Sequence, residues 1–242
     1  MTSIIKGKKY RPKALFKKIQ TVIHEKIPDF KPYMALFGCS DEINSATDSE
    51  RVEVFGKHSG VFTARTIGSQ VFFHQIRVAI STGHHSNVFE VNVHIGEYQD
   101  KNGQKALGRL IGRDGHERSC CGALSHVLED LHIHPDEKPS ISQWIDGEVY
   151  LDFLSTLKFR IKPHQEEILR STNQMVAITH INLDVQLEEL KRQLQKCVAT
   201  EPSAIPIVLF GTISYNRTKK PDLLSLERFL LITGNGSEDL VR

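Results

Sequence analysis

Cys39, His94 and Cys121 are the residues of this chain best suited to act together, because thiolates and imidazoles are the donors zinc prefers. Cys39 stands in Phe37-Gly38-Cys39-Ser40-Asp41-Glu42-Ile43-Asn44, immediately past the apolar run from Tyr33 to Phe37. Ligands in open α/β sheets collect just beyond the carboxyl ends of strands. His94 falls near the end of an alternating segment, and Cys121 opens an apolar-striped helix, where unpaired amides and the helix dipole favour a thiolate. Fifty-five residues separate Cys39 from His94 and 27 separate His94 from Cys121, spacings that match no zinc finger or ribbon. Only the fold can bring the three together. Residue chemistry alone leaves two readings open: a zinc site, or small buried cysteines beside a satisfied strand histidine. A thiol hydrolase with Cys39 as nucleophile and His94 as base is a third reading, but it leaves Cys121 idle.

The elements that must position these residues follow from periodicity. Leu15, Ile19 and Ile23 predict an amphipathic helix from Pro12 to Ile27, stopped by Pro28, with Tyr33 to Phe37 a buried strand ended by Gly38. Between Val88 and Ile95, Val91, Val93 and Ile95 share one strand face, and Glu90, Asn92 and His94 the other. Gln75 to Ser81 fits either strand or helix, and His84 to Asn87 reads as the turn before Val88. Leu124, Val127, Leu128 and Leu131 predict a helix with Ser119 as its N-cap. Further helices are expected from Gln143 to Leu157 and from Pro163 to Val198, the latter broken near His180 to Asn182. Ile205 to Phe210 and Phe229 to Ile232 read as late strands. Interleaved strands and helices make the class a single α/β domain over 1–242, with a helical arm at 10–28.

Composition bounds the function. A chain of 242 residues with 39% hydrophobic and 25% charged residues can bury the core of one full-sized domain. Its 31 basic and 29 acidic residues leave a net charge of +2, which excludes nucleic-acid binding by bulk charge and compositional disorder. Four cysteines are too few for a disulfide scaffold. The basic start, from Lys6 to Lys18, has no secretory apolar region and reads as a solvated helix face. The uncharged stretch Ser203 to Asn216 is too short to span a bilayer. The expectation is a soluble protein of the cytoplasm or another reducing compartment, with no nucleic-acid or membrane partner.

Several words recur in a telling order: Gly38-Cys39-Ser40-Asp41-Glu42-Ile43-Asn44, then His84-His85, then His94-Ile95-Gly96, then Gly108 to Gly115 with Arg109 and Arg113, then Ser119-Cys120-Cys121-Gly122-Ala123. In this the chain resembles the limiting-carbon-dioxide-inducible protein B/C family, the theta-type carbonic anhydrases, whose architecture is like that of the beta type. The words span roughly Tyr33 to Leu128. The resemblance implies a central mixed β-sheet flanked by helices, a Zn2+ cofactor held by Cys39, His94 and Cys121, and Asp41 as the catalytic carboxylate. It implies reversible hydration of carbon dioxide to bicarbonate by a zinc-bound hydroxide, in a homodimer. Cys121 matches the ligand because it directly precedes Gly-Ala; Cys120 then points elsewhere, and Cys197 is packing.

Two positions depart from the pattern. Ser45 stands where the family often has a basic residue, and Ile43 where beta-type enzymes pair the aspartate with an arginine. An arginine for Asp41 would come from Arg65, Arg109 or Arg113. His84 and His85 read first as solvated turn histidines, with a proton relay as the alternative, since histidine titrates near neutrality. The Ser45 departure keeps an alternative in view: a catalytically inactive zinc protein serving as a structural or regulatory partner.

Overall fold

The structure is a computed structural model that describes residues 4–41, 45–56, 60–81, 85–99, 103–111, 116–136, 142–145, 148–200, 206–217, 220–234 and 236–241. A short strand β1 (Lys9–Tyr10) leads into α1 (Pro12–Lys26), which has proline in its first turn, where the missing amide costs nothing. Strand β2 (Met34–Cys39), helix α2 (Ser45–Phe55) and strand β3 (Val61–Thr66) follow. A 3-10 turn at Ile67–Ser69 then leads to α3 (Phe73–Ser81) and the long strand β4 (Val88–Gln99). Short strands β5 (Lys105–Leu107), β6 (Arg109–Ile111) and β7 (Glu117–Ser119) precede α4 (Gly122–Ile133). Next come β8 (Ser142–Ile145), β9 (Glu148–Leu151), α5 (Phe153–Ile161), α6 (Gln165–Arg170) and α7 (Gln174–Thr200). Strands β10 (Ile207–Arg217), β11 (Leu223–Thr233) and β12 (Gly236–Asp239) close the chain.

The main sheet is mixed and eight-stranded, in the order β1-β11-β10-β4-β2-β3, with β12 beside β11 and β5 beside β4. Strands β10, β4, β2 and β3 run parallel to their neighbours in that row, whereas β11 runs antiparallel to β10. One face packs Phe37, Phe89, Val91, Val93 and Leu209 against Leu183, Leu187, Leu190 and Leu194 of α7. The other packs Leu15, Phe16, Ile19 and Ile23 of α1 against Val88, Phe210 and Phe229. Full burial of side chains of this size contributes about 1.5–3 kcal/mol each, so α1 is integral to the core on that face.

The α/β class and the mixed sheet flanked by helices are as expected, but several elements differ. Gly38 lies inside β2, and Gln75 to Ser81 is helical within α3. The alternation in β4 holds, yet its polar row is as buried as its apolar row, because a central parallel strand is covered on both faces. Where a helix is expected from Gln143 to Leu157, Ser142–Ile145 and Glu148–Leu151 form the β8–β9 pair and helix begins only at Phe153. Trp144, Val149 and Tyr150 favour strand, and an Asp-Gly pair lies between the two segments in the sequence. Helix α7 passes unbroken through Asn182, whose amide is satisfied by the Gly68 carbonyl at 2.9 Å. The break falls instead before Gln174, where the Asn173 side chain accepts from the Val176 amide at 3.0 Å. Strand β10 runs on to Arg217, well past Phe210.

Candidate metal centre

Cys39 is the last residue of β2, and the β2–β4 ladder ends at Gly38 opposite Asn92. Strand β4 continues past that edge, still paired with β10, so His94 stands in its interior opposite Ser214 and beyond the end of β2, not near its own terminus. Cys121 is the N-cap of α4, in place of Ser119, which ends β7. Its backbone is left-handed, with φ 64° and ψ 84°, an uncommon and strained state for a residue with a side chain.

The β6–β7 ribbon delivers Cys121. The Gly108 amide donates to the Gly96 carbonyl at 2.9 Å, and the Cys120 amide donates to the Gly108 carbonyl at 3.2 Å. A Cβ on Gly96 would lie 2.2 Å from the Arg109 carbonyl oxygen and 2.9 Å from Cys120 Cβ. Glycine at 96 is therefore what lets the ribbon close on β4.

Cys39, Asp41, His94 and Cys121 each offer one donor atom, and these atoms all lie within 4.8 Å of one another. Around a tetrahedral zinc, with bonds of about 2.0–2.3 Å, donors stand roughly 3.5 Å apart, so a small contraction closes the set. His94 is 1% exposed, and its Nε2 lies 2.9 Å from Asp41 Oδ2 but makes no hydrogen bond of proper geometry. A buried nitrogen aimed into two thiols and a carboxylate is what a metal ligand requires. The residues fit zinc, with Cys39, His94 and Cys121 as the donors that would hold it and Asp41 adjoining.

The protonation pattern reflects the crowding. The Cys121 thiol donates toward Cys39 and lowers its pKa to about 4 against the opposing effect of burial, with His94 and the Asp41 amide assisting. Cys121, sharing its proton in that contact and deeply buried, is pushed well up. Burial disfavours the charged imidazole of His94, but Asp41 and the three neighbouring thiols outweigh it and raise its pKa well above the usual value. His94 in turn holds the Asp41 carboxyl below its ordinary range.

The other expected site residues adjoin the donor set or lie apart from it. Arg65 donates to the Cys39 carbonyl and pairs with Asp48, and Arg109 pairs with Glu117 at 2.7 Å. His85 is exposed before the start of β4, and the six steps along the strand from Val88 to His94 put that start roughly 20 Å from His94 at ~3.3 Å per residue. It is too distant to serve as a relay. His84 and Arg113 lie outside the described residues, as do the side chains of Ser45 and Cys197. Cys120 stays out of the donor set, as expected, and its Sγ lies 3.2 Å from His94 Nδ1, the other ring nitrogen. Sequence reasoning also missed Asn216, whose Oδ1 is 3.2 Å from the same nitrogen. The period-two row Thr212, Ser214, Asn216 was the available signal.

The model of the limiting CO2-inducible proteins B/C, beta carbonic anhydrases, matches residues 16–233. The chain belongs to this family. Among solved structures, this family member is similar to PtLCIB4, a homolog of the limiting CO2-inducible protein LCIB, with 17% identity, TM-score 0.75, and coverage of 98% of this chain and 97% of that one. It is similar to LCIB itself at 12% identity and TM-score 0.70, covering 96% and 93% of the two chains. A beta-carbonic anhydrase of the filamentous ascomycete Sordaria macrospora superposes at 15% identity and TM-score 0.45 over 83% of this chain and 88% of that one. No curated protein sequence matches. Among the described residues no helix is long and apolar enough to cross a membrane.

Proposed function

We propose that the protein is a zinc-dependent carbonic anhydrase, interconverting carbon dioxide and bicarbonate as a homodimer in a reducing soluble compartment. The observation that carries this reading is the convergence of Cys39, His94 and Cys121 from three separate elements, with Asp41 2.9 Å from His94 Nε2. Zinc at such a site supplies Lewis acidity, which lets water act as a nucleophile near neutral pH. Asp41, ionised and partly open to solvent, is placed to accept the proton of a reacting water and orient it. Leu124, Val127, Leu157 and Ile178 pack beside the two thiols and exclude bulk water, a surrounding that suits a small apolar substrate. The test is metal analysis with stopped-flow hydration assays on wild type and Cys39→Ser. Wild type should carry zinc and hydrate carbon dioxide, and the variant should do neither.

Asp41 itself favours a second reading. Its carboxylate lies within the same donor set, and as a fourth ligand it would give a closed, structural site in a catalytically inactive partner protein. The cobalt-substituted protein separates the two. An open site changes its absorption with pH and added anions, and a closed one does not.

A further inference from the structure

His94 has two ring nitrogens, and the proposed metal needs only one. Its Nδ1 faces Asn216 Oδ1 and Cys120 Sγ, each at 3.2 Å, and both residues are buried. Which end of the Asn216 amide meets the imidazole is settled by Asp222, whose Oδ2 accepts from Asn216 Nδ2 at 3.1 Å. The other oxygen of Asp222 accepts from the Arg217 amide at 3.2 Å, which anchors the carboxylate to β10. Asn216 therefore presents only an acceptor to His94. The Cys120 thiol also points to that oxygen, at 3.7 Å, and so competes for the acceptor instead of replacing it. An acceptor at Nδ1 keeps the proton there and leaves the Nε2 lone pair directed at Cys39, Asp41 and Cys121.

We propose that Asn216 and Asp222 are positioning residues that fix the tautomer and ring orientation of His94 for metal binding. The proposal rests on the zinc reading above. Partners of this kind typically affect metal affinity by about 10–100-fold.

The experiment measures zinc dissociation constants of the full-length protein by chelator competition, with melting of the metal-free forms alongside. Asn216→Leu should bind zinc about 10–100-fold more weakly with little change in metal-free melting. The exchanged pair, Asn216→Asp with Asp222→Asn, keeps an acceptor toward His94 and should recover most of the affinity. Cys120→Ala should stay within about threefold of wild type, below the loss expected for an outer ligand partner. Nitrogen-15 NMR of the zinc-loaded wild type should show a protonated Nδ1 on His94. A purely structural role would lower melting without moving zinc affinity or the NMR signature. Wild-type affinity in Asn216→Leu, an unprotonated Nδ1, or a loss that follows Cys120 instead overturns the assignment. If Asn216→Leu does not fold, the exchanged pair and the NMR decide, and weak zinc binding by the exchanged pair counts against it. Wild type that binds no zinc removes the metal reading itself, a distinct outcome from wild type that binds zinc and a leucine variant that binds equally well.

Discussion

Gly96 shows how a single missing Cβ holds the centre together. The contacts an added methyl would meet are the Arg109 backbone and the Cys120 Cβ, neither of which can swing aside like a flexible side-chain end. Gly96→Ala should lower stability by about 1–3 kcal/mol through overpacking, read by urea denaturation of the metal-free protein. It should also weaken zinc binding, because the displaced ribbon carries Cys121; unchanged stability and affinity would contradict this packing account. At this scale much was legible. Cys39, His94, Cys121 and Asp41 stand in distinctive words, whereas the part played by Gly96 is visible only when the β6–β7 ribbon is seen lying on β4. The contact of Cys120 with the far side of the His94 ring is not legible in the sequence, because adjacency to Cys121 says nothing of direction once the backbone at residue 121 turns left-handed.

Elements were legible where period and punctuation agreed. Helix α1 begins at Pro12 and stops before Pro28 as its pattern predicts, and α4 follows its leucine stripe. The segment from Gln143 to Leu157 failed because two short strands and a helix start share one apolar stretch, and Asp152 marks the boundary. Its carboxylate accepts from the Ser155 hydroxyl at 2.7 Å, which chiefly holds its pKa below the ordinary value, and from the amides of Ser155 at 3.1 Å and Leu154 at 3.0 Å, which add to this. Asp152→Ala should therefore cost about 1 kcal/mol, measured by thermal melting at pH 7. A carboxylate depressed in the folded state stabilises above its unfolded pKa, and the contribution is lost as pH falls through the folded pKa. The difference between wild type and variant should accordingly be full at neutral pH and shrink below about pH 4. A difference that persists at pH 2 would argue against the cap.

Across the whole molecule, a buried polar chain ties the sheet to the site. Arg51, 1% exposed, reaches Glu90 through Nε at 2.6 Å and Asp48 through Nη1 at 2.6 Å, and Asp48 pairs with Arg65, which holds the Cys39 carbonyl. Thr212 donates to Glu90 at 2.6 Å and accepts from Asn92, joining β10 and β4 beneath His94. Arg51→Met leaves Glu90 buried without its cation and should destabilise by about 3–5 kcal/mol in urea unfolding. Adding Glu90→Gln should restore part of that loss, and a double variant no better than the single would contradict the pairing. None of this chain was readable in advance, since Arg51 and Glu90 look like ordinary surface charges until both faces of β4 are covered. Zinc-edge X-ray absorption on the purified protein tests the thiolate-bound zinc centre directly. Stoichiometric zinc is expected, with two sulfur donors at about 2.3 Å and nitrogen or oxygen donors at about 2.0–2.1 Å, and with one sulfur lost in Cys121→Ser. Zinc absent from wild type, or bound without sulfur, would contradict that centre.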